Sequence, residues 1–217
     1  MVDLEVLYED NHVIVVYKPQ GILSQADNTG DVDMLTLVKK YIKHRYNKPG
    51  DVYVGLVHRL DRMTCGVMVF AKTTKAASRL SLDIVNHNFY KEYLAVCEGE
   101  MDNFDETTLV DYLEKDEKLN KSFISKDGKE AVLTYKVLRC KSNKSLVKVQ
   151  LKTGRHHQIR VQLSNIGHPL YGDIKYGARI KDDLALQAYK LSFYQPVTKE
   201  LLSFQKISYN GVFAIFK

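Results

Sequence analysis

Asp61 stands between two arginines in His58-Arg59-Leu60-Asp61-Arg62-Met63-Thr64-Cys65-Gly66, a lone carboxylate with a guanidinium group on either side. Opposite charge nearby favours the ionised form, and an ordinary Asp, titrating near pH 4, is already charged at neutrality. Such a group is equipped to attack an electrophilic carbon or to take a proton. No second acid accompanies the motif, whereas a glycosidase sets two carboxylates about the bond it breaks. The plain alternative is structural. Asp followed by Thr and Gly is common turn chemistry, and Arg-Asp neighbours are usually surface ion pairs of small energetic weight.

A second cluster, Lys152-Thr153-Gly154-Arg155-His156-His157-Gln158-Ile159-Arg160, adds the context that a short motif needs. It follows a strand-like run and is expected to open a helix. Gly154 allows the sharp turn, and Ile159, Leu163 and Ile166 form the buried stripe. Gly167 suits the stop, with Pro169 just beyond. Arg155 then falls at the helix start, where free N–H groups and the dipole favour an anion and disfavour a cation. A locally unfavourable residue in that place hints at function.

Both clusters need rigid supports. Val54-Gly55-Leu56-Val57 and Val67-Met68-Val69-Phe70-Ala71 read as buried strands flanking Asp61, which places the acid on a loop held between core elements. Val13–Val16 is a short strand ended by Lys18-Pro19 and Gln20-Gly21. Asp33 caps a helix with Leu35, Val38, Tyr41 and Ile42 at helical spacing, running to about Tyr46. A second helix starts near Thr73-Thr74 with Ala77, Leu80 and Ile84 on one stripe. Lys91 to Cys97 alternates as a half-buried strand, and Ala131–Leu138, Ser145–Leu151, Leu184–Phe193 and Leu201–Phe204 are strand-like. Many strands with few helices imply an α+β protein with a largely antiparallel sheet.

The chain of 217 residues, 45% hydrophobic and 27% charged, is ordered and large enough for a substantial core, expected as one domain over 1–217 or as two closely fused lobes. A charged exposed arm or hairpin is expected near 102–130. No apolar run reaches membrane-span length, and the N-terminus lacks the basic and apolar regions of a signal peptide. Cys65, Cys97 and Cys140 are odd in number and lack paired-ligand spacing. No disulfide framework or metal site is expected, and a reducing cytoplasm fits. The net charge of +6 permits a polyanionic partner. Basic residues gather at Lys39-Lys40, Lys43 to Lys48, Arg59/Arg62, Arg139 to Lys152 and Arg155/Arg160, with tyrosines and histidines among them, a pattern suited to a phosphate backbone.

The motif pair resembles the RluA family of RNA pseudouridine synthases. His58 to Gly66 with Ala71-Lys72 is similar to that family's catalytic motif, Lys91-Glu92-Tyr93-Leu94-Ala95 to its tyrosine motif, and Thr153 to Arg160 to its later arginine motif. Gly167-His168-Pro169-Leu170-Tyr171-Gly172-Asp173, Tyr176-Gly177, Lys18-Pro19-Gln20-Gly21 and Gly128 to Ala131 also fit, so the likeness runs nearly the length of the chain. Cys65 replaces the usual Ser, and His156 takes a position often held by Thr or Ser. The strand-like opening begins close to Met1, which leaves no room for the small S4-type RNA-binding domain of many members.

The resemblance implies a pseudouridine synthase fold with a central catalytic cleft and flanking helices. It implies an isomerase that breaks the N1–C1′ bond of a uridine in structured RNA, ribosomal or transfer, and rejoins the base through C5. No cofactor, metal or obligate protein partner is implied. Asp61 would act at C1′ of the ribose, as nucleophile or as base toward a glycal. Arg155 would pair with Asp61 and orient it, and Tyr93 would lie against the uracil. Arg59 would fill the space of the nucleotide turned out of its stack. Arg62 and Arg160, with His156, would face phosphate or support the fold, and His58 would brace the loop. The alternatives are a non-catalytic RNA-binding module on the same fold and a nucleoside hydrolase; retention of Asp61, Tyr93 and Arg155 ranks the enzyme first.

Overall fold

The computed structural model describes residues 4–217. Met1, Val2 and Asp3, part of the opening read for a leader, lie outside the described residues. The first half of the chain forms β1 (Glu5–Glu9), β2 (Val13–Lys18), α1 (Met34–Arg45), β3 (Gly55–Leu56), β4 (Cys65–Ala71), α2 (Thr74–Val85) and β5 (Phe89–Glu98). The second forms β6 (Thr107–Asp116), β7 (Lys121–Ile124), β8 (Lys129–Cys140), β9 (Lys144–Leu151), α3 (Gln158–Asn165), β10 (Leu186–Tyr194) and β11 (Leu201–Gln205), with short 3-10 turns at Ile174–Tyr176 and Gly211–Phe216. This is the α+β arrangement expected of the strand-rich pattern. The chain divides into two compact units. One holds the residues up to Lys91 with Ala188–Lys206, the other Glu92–Gln187 with Ile207–Lys217.

In the first unit β2 runs antiparallel to both β1 and β4, β4 is hydrogen-bonded to β10, and β10 pairs antiparallel with β11. Val13, Val15, Val67, Val69 and Ala71 pack with Ala76 and Leu80 of α2 and with Phe89, Leu191 and Phe193. The alternate residues Ile14, Val16, Met68 and Phe70 are also fully buried. Both faces are therefore covered, which is why these strands read as unbroken apolar runs. Asp33 caps α1 as expected, Oδ1 accepting the Thr36 N–H at 3.0 Å and Oδ2 the Thr36 hydroxyl at 2.7 Å. Thr73 caps α2 through the Ala76 N–H at 3.1 Å. Gly66 has φ +140°, and a Cβ there would lie 2.3 Å from the Ala188 carbonyl oxygen, so only glycine lets β4 leave the Asp61 loop beside β10.

The Val54–Val57 strand shrinks to Gly55–Leu56, paired with Ala71 and Phe70. The cause is His58, whose Nε2 accepts the Val69 N–H at 3.1 Å and so takes the donor a longer strand would use.

In the second unit Glu92–Glu98 of β5 pairs antiparallel with β9, β9 with β8, β8 with β6, and β6 with β7. Two sequence expectations need correction here. Tyr93, Leu94, Ala95, Val96 and Cys97 are all buried, so β5 is covered on both faces and not half-buried. Every one of these side chains tolerates burial, and alternation of polarity was too weak a signal to decide it. The arginine-motif helix starts at Gln158 and not at the cluster's head, because His157 adopts φ 53° and ψ 23°, a left-handed conformation that no α-helix accommodates. Arg155 thus sits in the turn before α3. Gly167, with φ +86°, ends that helix as expected. The 102–130 segment contains β6 and β7. Their hairpin buries Leu113 and Ser122 on one side and exposes Val110, Tyr112 and Phe123 on the other.

Candidate active site

The Asp61 loop is clamped one residue to either side of the acid. On its N-terminal side the Ser24 hydroxyl serves both backbone groups of Leu60, accepting the N–H at 3.0 Å and donating to the carbonyl at 2.7 Å. On its C-terminal side the Arg62 carbonyl accepts the Gly21 N–H at 2.9 Å, and the Thr64 N–H closes the turn onto the Asp61 carbonyl at 3.0 Å. The Arg62 side chain is spent on the same clamp, with Nε donating to the Gly21 carbonyl at 3.1 Å and the guanidinium pairing with Asp31 at 2.8 Å. Arg59 is exposed and Asp61 itself is half-buried.

Beneath the loop lies Lys18, which is fully buried. Its ammonium donates to the carbonyls of Pro19 at 3.1 Å, Arg62 at 2.9 Å and Thr64 at 2.8 Å, matching each of its three protons to an acceptor. Burial pulls its pKa down to about 8, while the neighbouring charges of Cys65 and Asp61 work against that fall. At neutral pH this is a buried cation within electrostatic reach of the Asp61 carboxylate. His58 is buried as well. Loss of solvent, with the Lys91 charge, pushes its pKa down to about 3, so the ring stays neutral and braces β4 through Val69. That is the bracing role expected of it.

The arginine motif is built differently. Gln158 gathers the turn, its Oε1 accepting the Arg155 N–H at 3.0 Å and the Thr153 hydroxyl at 2.9 Å. The exposed Arg155 guanidinium donates through Nε to the Glu130 carbonyl at 2.8 Å, which ties the motif to the start of β8. His156 and His157 stack with ring centres 3.7 Å apart. His156 Nδ1 meets the Ser122 hydroxyl and His157 Nδ1 meets the Tyr176 hydroxyl, each at 2.8 Å. The same Tyr176 oxygen accepts the Ser122 N–H at 2.8 Å, so one phenol joins β7 to the start of α3. Burial first, then the Lys115 and Arg160 charges, lowers the His156 pKa to about 4; burial lowers that of His157 further. Arg160 forms a two-pronged pair with buried Asp173, both bonds at 2.7 Å, and lies 4.8 Å from the centre of the Tyr176 ring. Tyr93 is buried in β5, opposite Val149 of β9.

The first unit therefore holds Asp61, Arg59 and Arg62, and the second holds Tyr93, Arg155, His156 and Arg160. Sequence reasoning overlooked Lys18, Ser24, Ser122 and Tyr176 as organising residues. Lys18 had a signal: it shares a strand face with Ile14 and Val16, and a lysine in register with buried residues is a lysine that must be neutralised or bonded. Ser24 and Ser122 had none, because single hydroxyls in loops and strands are common. Among the described residues no group of three His, Cys, Asp or Glu side chains is placed to hold a metal ion, and no helix is long and apolar enough to cross a membrane.

Residues 12–165, a span that includes Asp61, Tyr93 and Arg155, match the model of the RNA pseudouridylate synthase family. The RNA pseudouridine synthase YhcT of Bacillus subtilis is 34% identical over 206 residues, covering 92% of this chain and 67% of the relative. Ribosomal large subunit pseudouridine synthase D of Zymomonas mobilis is 32% identical over 227 residues, covering 94% and 68%. The solved human RNA pseudouridylate synthase domain containing 4 superposes with a TM-score of 0.80 at 22% identity, covering 98% of this chain and 92% of that one, a likeness of fold. The chain belongs to the RNA pseudouridine synthase family, as its RluA-type motifs implied. It is an isomerase that acts on RNA, converting uridine to pseudouridine.

Proposed function

We propose that Asp61 is the group that carries out this isomerisation, and that Tyr93 and Arg155 serve turnover with it. In the reaction the N1–C1′ bond of a uridine breaks, a C5–C1′ bond forms, C5 gives up its proton and N1 gains one. The observation that carries the reading is the loop itself. A half-buried carboxylate is held by its immediate backbone neighbours, over a buried ammonium that fixes the carbonyls of Arg62 and Thr64. Such rigidity keeps the acid aimed before substrate arrives, which is where positioning lowers a barrier. Tyr93, rigid within β5, suits contact with the uracil ring. Arg59, exposed and among the described residues without an ion pair, suits the RNA side. His156 completes that side, Arg62 supports the loop through Gly21 and Asp31, and Arg160 is paired with Asp173 beside the Tyr176 ring.

The substrate we propose is structured ribosomal RNA, in line with relatives named for the ribosomal large subunit, with transfer RNA as the second candidate. A cytoplasmic location agrees with three free cysteines.

The test is tritium release from RNA carrying 5-tritiated uridine. Asp61→Asn abolishes release while the protein remains folded and binds RNA; full activity in that variant would refute the assignment. Arg155→Ala lowers kcat more than affinity, and a loss confined to affinity would make Arg155 an ordinary phosphate contact. Comparing pseudouridine maps of total RNA with and without the gene identifies the target.

A further inference from the structure

Helix α1 carries a ridge of charge that the isomerisation leaves unused. Its sequence contains Lys39, Lys40, Lys43, His44 and Arg45 and no acidic residue. Lys39, Lys40 and Lys43 are exposed, and among the described residues none of them has an ion-pair partner. Glu9, which meets the end of the helix through Tyr41 and Arg45, is already engaged by Arg45, Lys72, Tyr41 and Tyr46. Lys43 lies four residues from Lys39 and three from Lys40, so the ammonium groups are surface neighbours and repel one another. A helix held by its Asp33 cap and its buried Met34, Val38 and Ile42 gains nothing from that placement. The three lysines also share a concavity of about 280 Å³ with Thr36, Asp51 and Val52.

We infer that this ridge is a second RNA-binding surface, which grips phosphates of the strand that continues beyond the nucleotide at the Asp61 loop. The inference rests on the assignment of Asp61 made above and deepens it. The two places are joined within one unit. The Met34 N–H donates to the Leu23 carbonyl at 2.8 Å and the Leu35 N–H to the Ser24 carbonyl at 3.3 Å, and Ser24 is the residue that clamps Leu60. At 1.5 Å per residue, Lys39 to Lys43 lie roughly 8 to 14 Å along the helix from Met34. Ammonium groups on flexible stems meet phosphate as point charges and read no base, so the ridge supplies affinity and register and leaves target choice elsewhere. The carboxylate of Asp51 in the same concavity keeps the strand on the lysine side.

The test is the triple variant Lys39→Ala, Lys40→Ala, Lys43→Ala. Its changes are at exposed helical sites where alanine favours the helix, so circular dichroism stays as in the parent. Affinity is measured against a ribosomal stem-loop with single-stranded flanks, over a range of salt. The slope of log affinity against log salt falls in magnitude by about 2, three contacts at roughly 0.7 each. A short RNA holding only the target uridine and its immediate neighbours is turned over with unchanged kcat. Unchanged affinity and slope on the long RNA would overturn the inference, even with isomerisation intact. Retained RNA binding with lost binding to polyglutamate would overturn it in favour of an acidic polypeptide. A slope that falls in the triple variant while Asp61→Asn keeps full activity supports the ridge and defeats only the Asp61 assignment.

Discussion

The Asp61 loop and the His156–Tyr176 network solve the same problem, holding a functional turn still, with opposite electrostatics. The loop is fixed by a buried cation whose three protons meet three main-chain carbonyls, beside a carboxylate. The network is fixed by neutral groups, two stacked imidazoles, a serine and a phenol, with the Arg160–Asp173 ion pair set to the side. A buried charge is expensive to desolvate unless it is fully bonded, but it is then hard to replace. Neutral hydroxyl and imidazole bonds are each weaker and more forgiving. The acid we propose to react is therefore placed on the less tolerant support.

Lys18→Met is the most damaging test of that contrast. It leaves the carbonyls of Pro19, Arg62 and Thr64 short of a donor in a dry site, at a cost on the order of 3 kcal/mol. In hydrogen exchange the loss of protection concentrates at residues 60–64 and spares 156–165, and tritium release falls with it. Equal loss in both regions would mean that the two supports are not independent.

The converse variant, Tyr176→Phe, removes the oxygen shared by Ser122 and His157. It costs about 1–2 kcal/mol, because a buried N–H and a ring nitrogen lose their partner. Exchange rises around 122 and 156–158 while the Asp61 loop keeps its protection. Equal exchange at the loop would break the comparison from the other side.

The smallest and most graded effect is with pH. His58 and His156 titrate near 3 and 4 in the folded chain, against about 6.5 unfolded. The unfolded chain binds more protons throughout that window, so stability falls as pH drops from about 6.5 toward 4, and these two histidines add no slope above it. Lys18 works in the alkaline range. Its folded pKa of about 8 lies below the unfolded 10.5, so stability rises with pH between those values. Urea midpoints at pH 7 and pH 5 read the acid limb, and His156→Gln flattens part of it. An undiminished limb in that variant would assign the whole slope to other groups.

Much of the architecture was legible from one-dimensional pattern. The Asp33 cap, the helix start near Thr73, the Gly167 stop and the apolar runs of β2 and β4 are local effects, decided by hydrogen-bonding side chains and hydropathy within a few residues. The start of α3 was not, because the left-handed conformation of His157 is stabilised by its bond to Tyr176, nineteen residues on. The length of β3 was set likewise by an imidazole taking the Val69 donor, which no run of valines announces.

The sequence alone determined which side chains are chemically equipped to act: a carboxylate between arginines, a later Arg-His-His turn, and a tyrosine in an apolar strand. Tertiary structure decided what each is held by. Lys18 became the anchor of the Asp61 loop, Arg62 a brace on Gly21 and Asp31, and Arg160 the partner of Asp173. The physical reason is that reactivity is a property of functional groups, which a sequence spells out. Desolvation and hydrogen-bond partnership depend on residues far apart in the chain, and only folding brings those together.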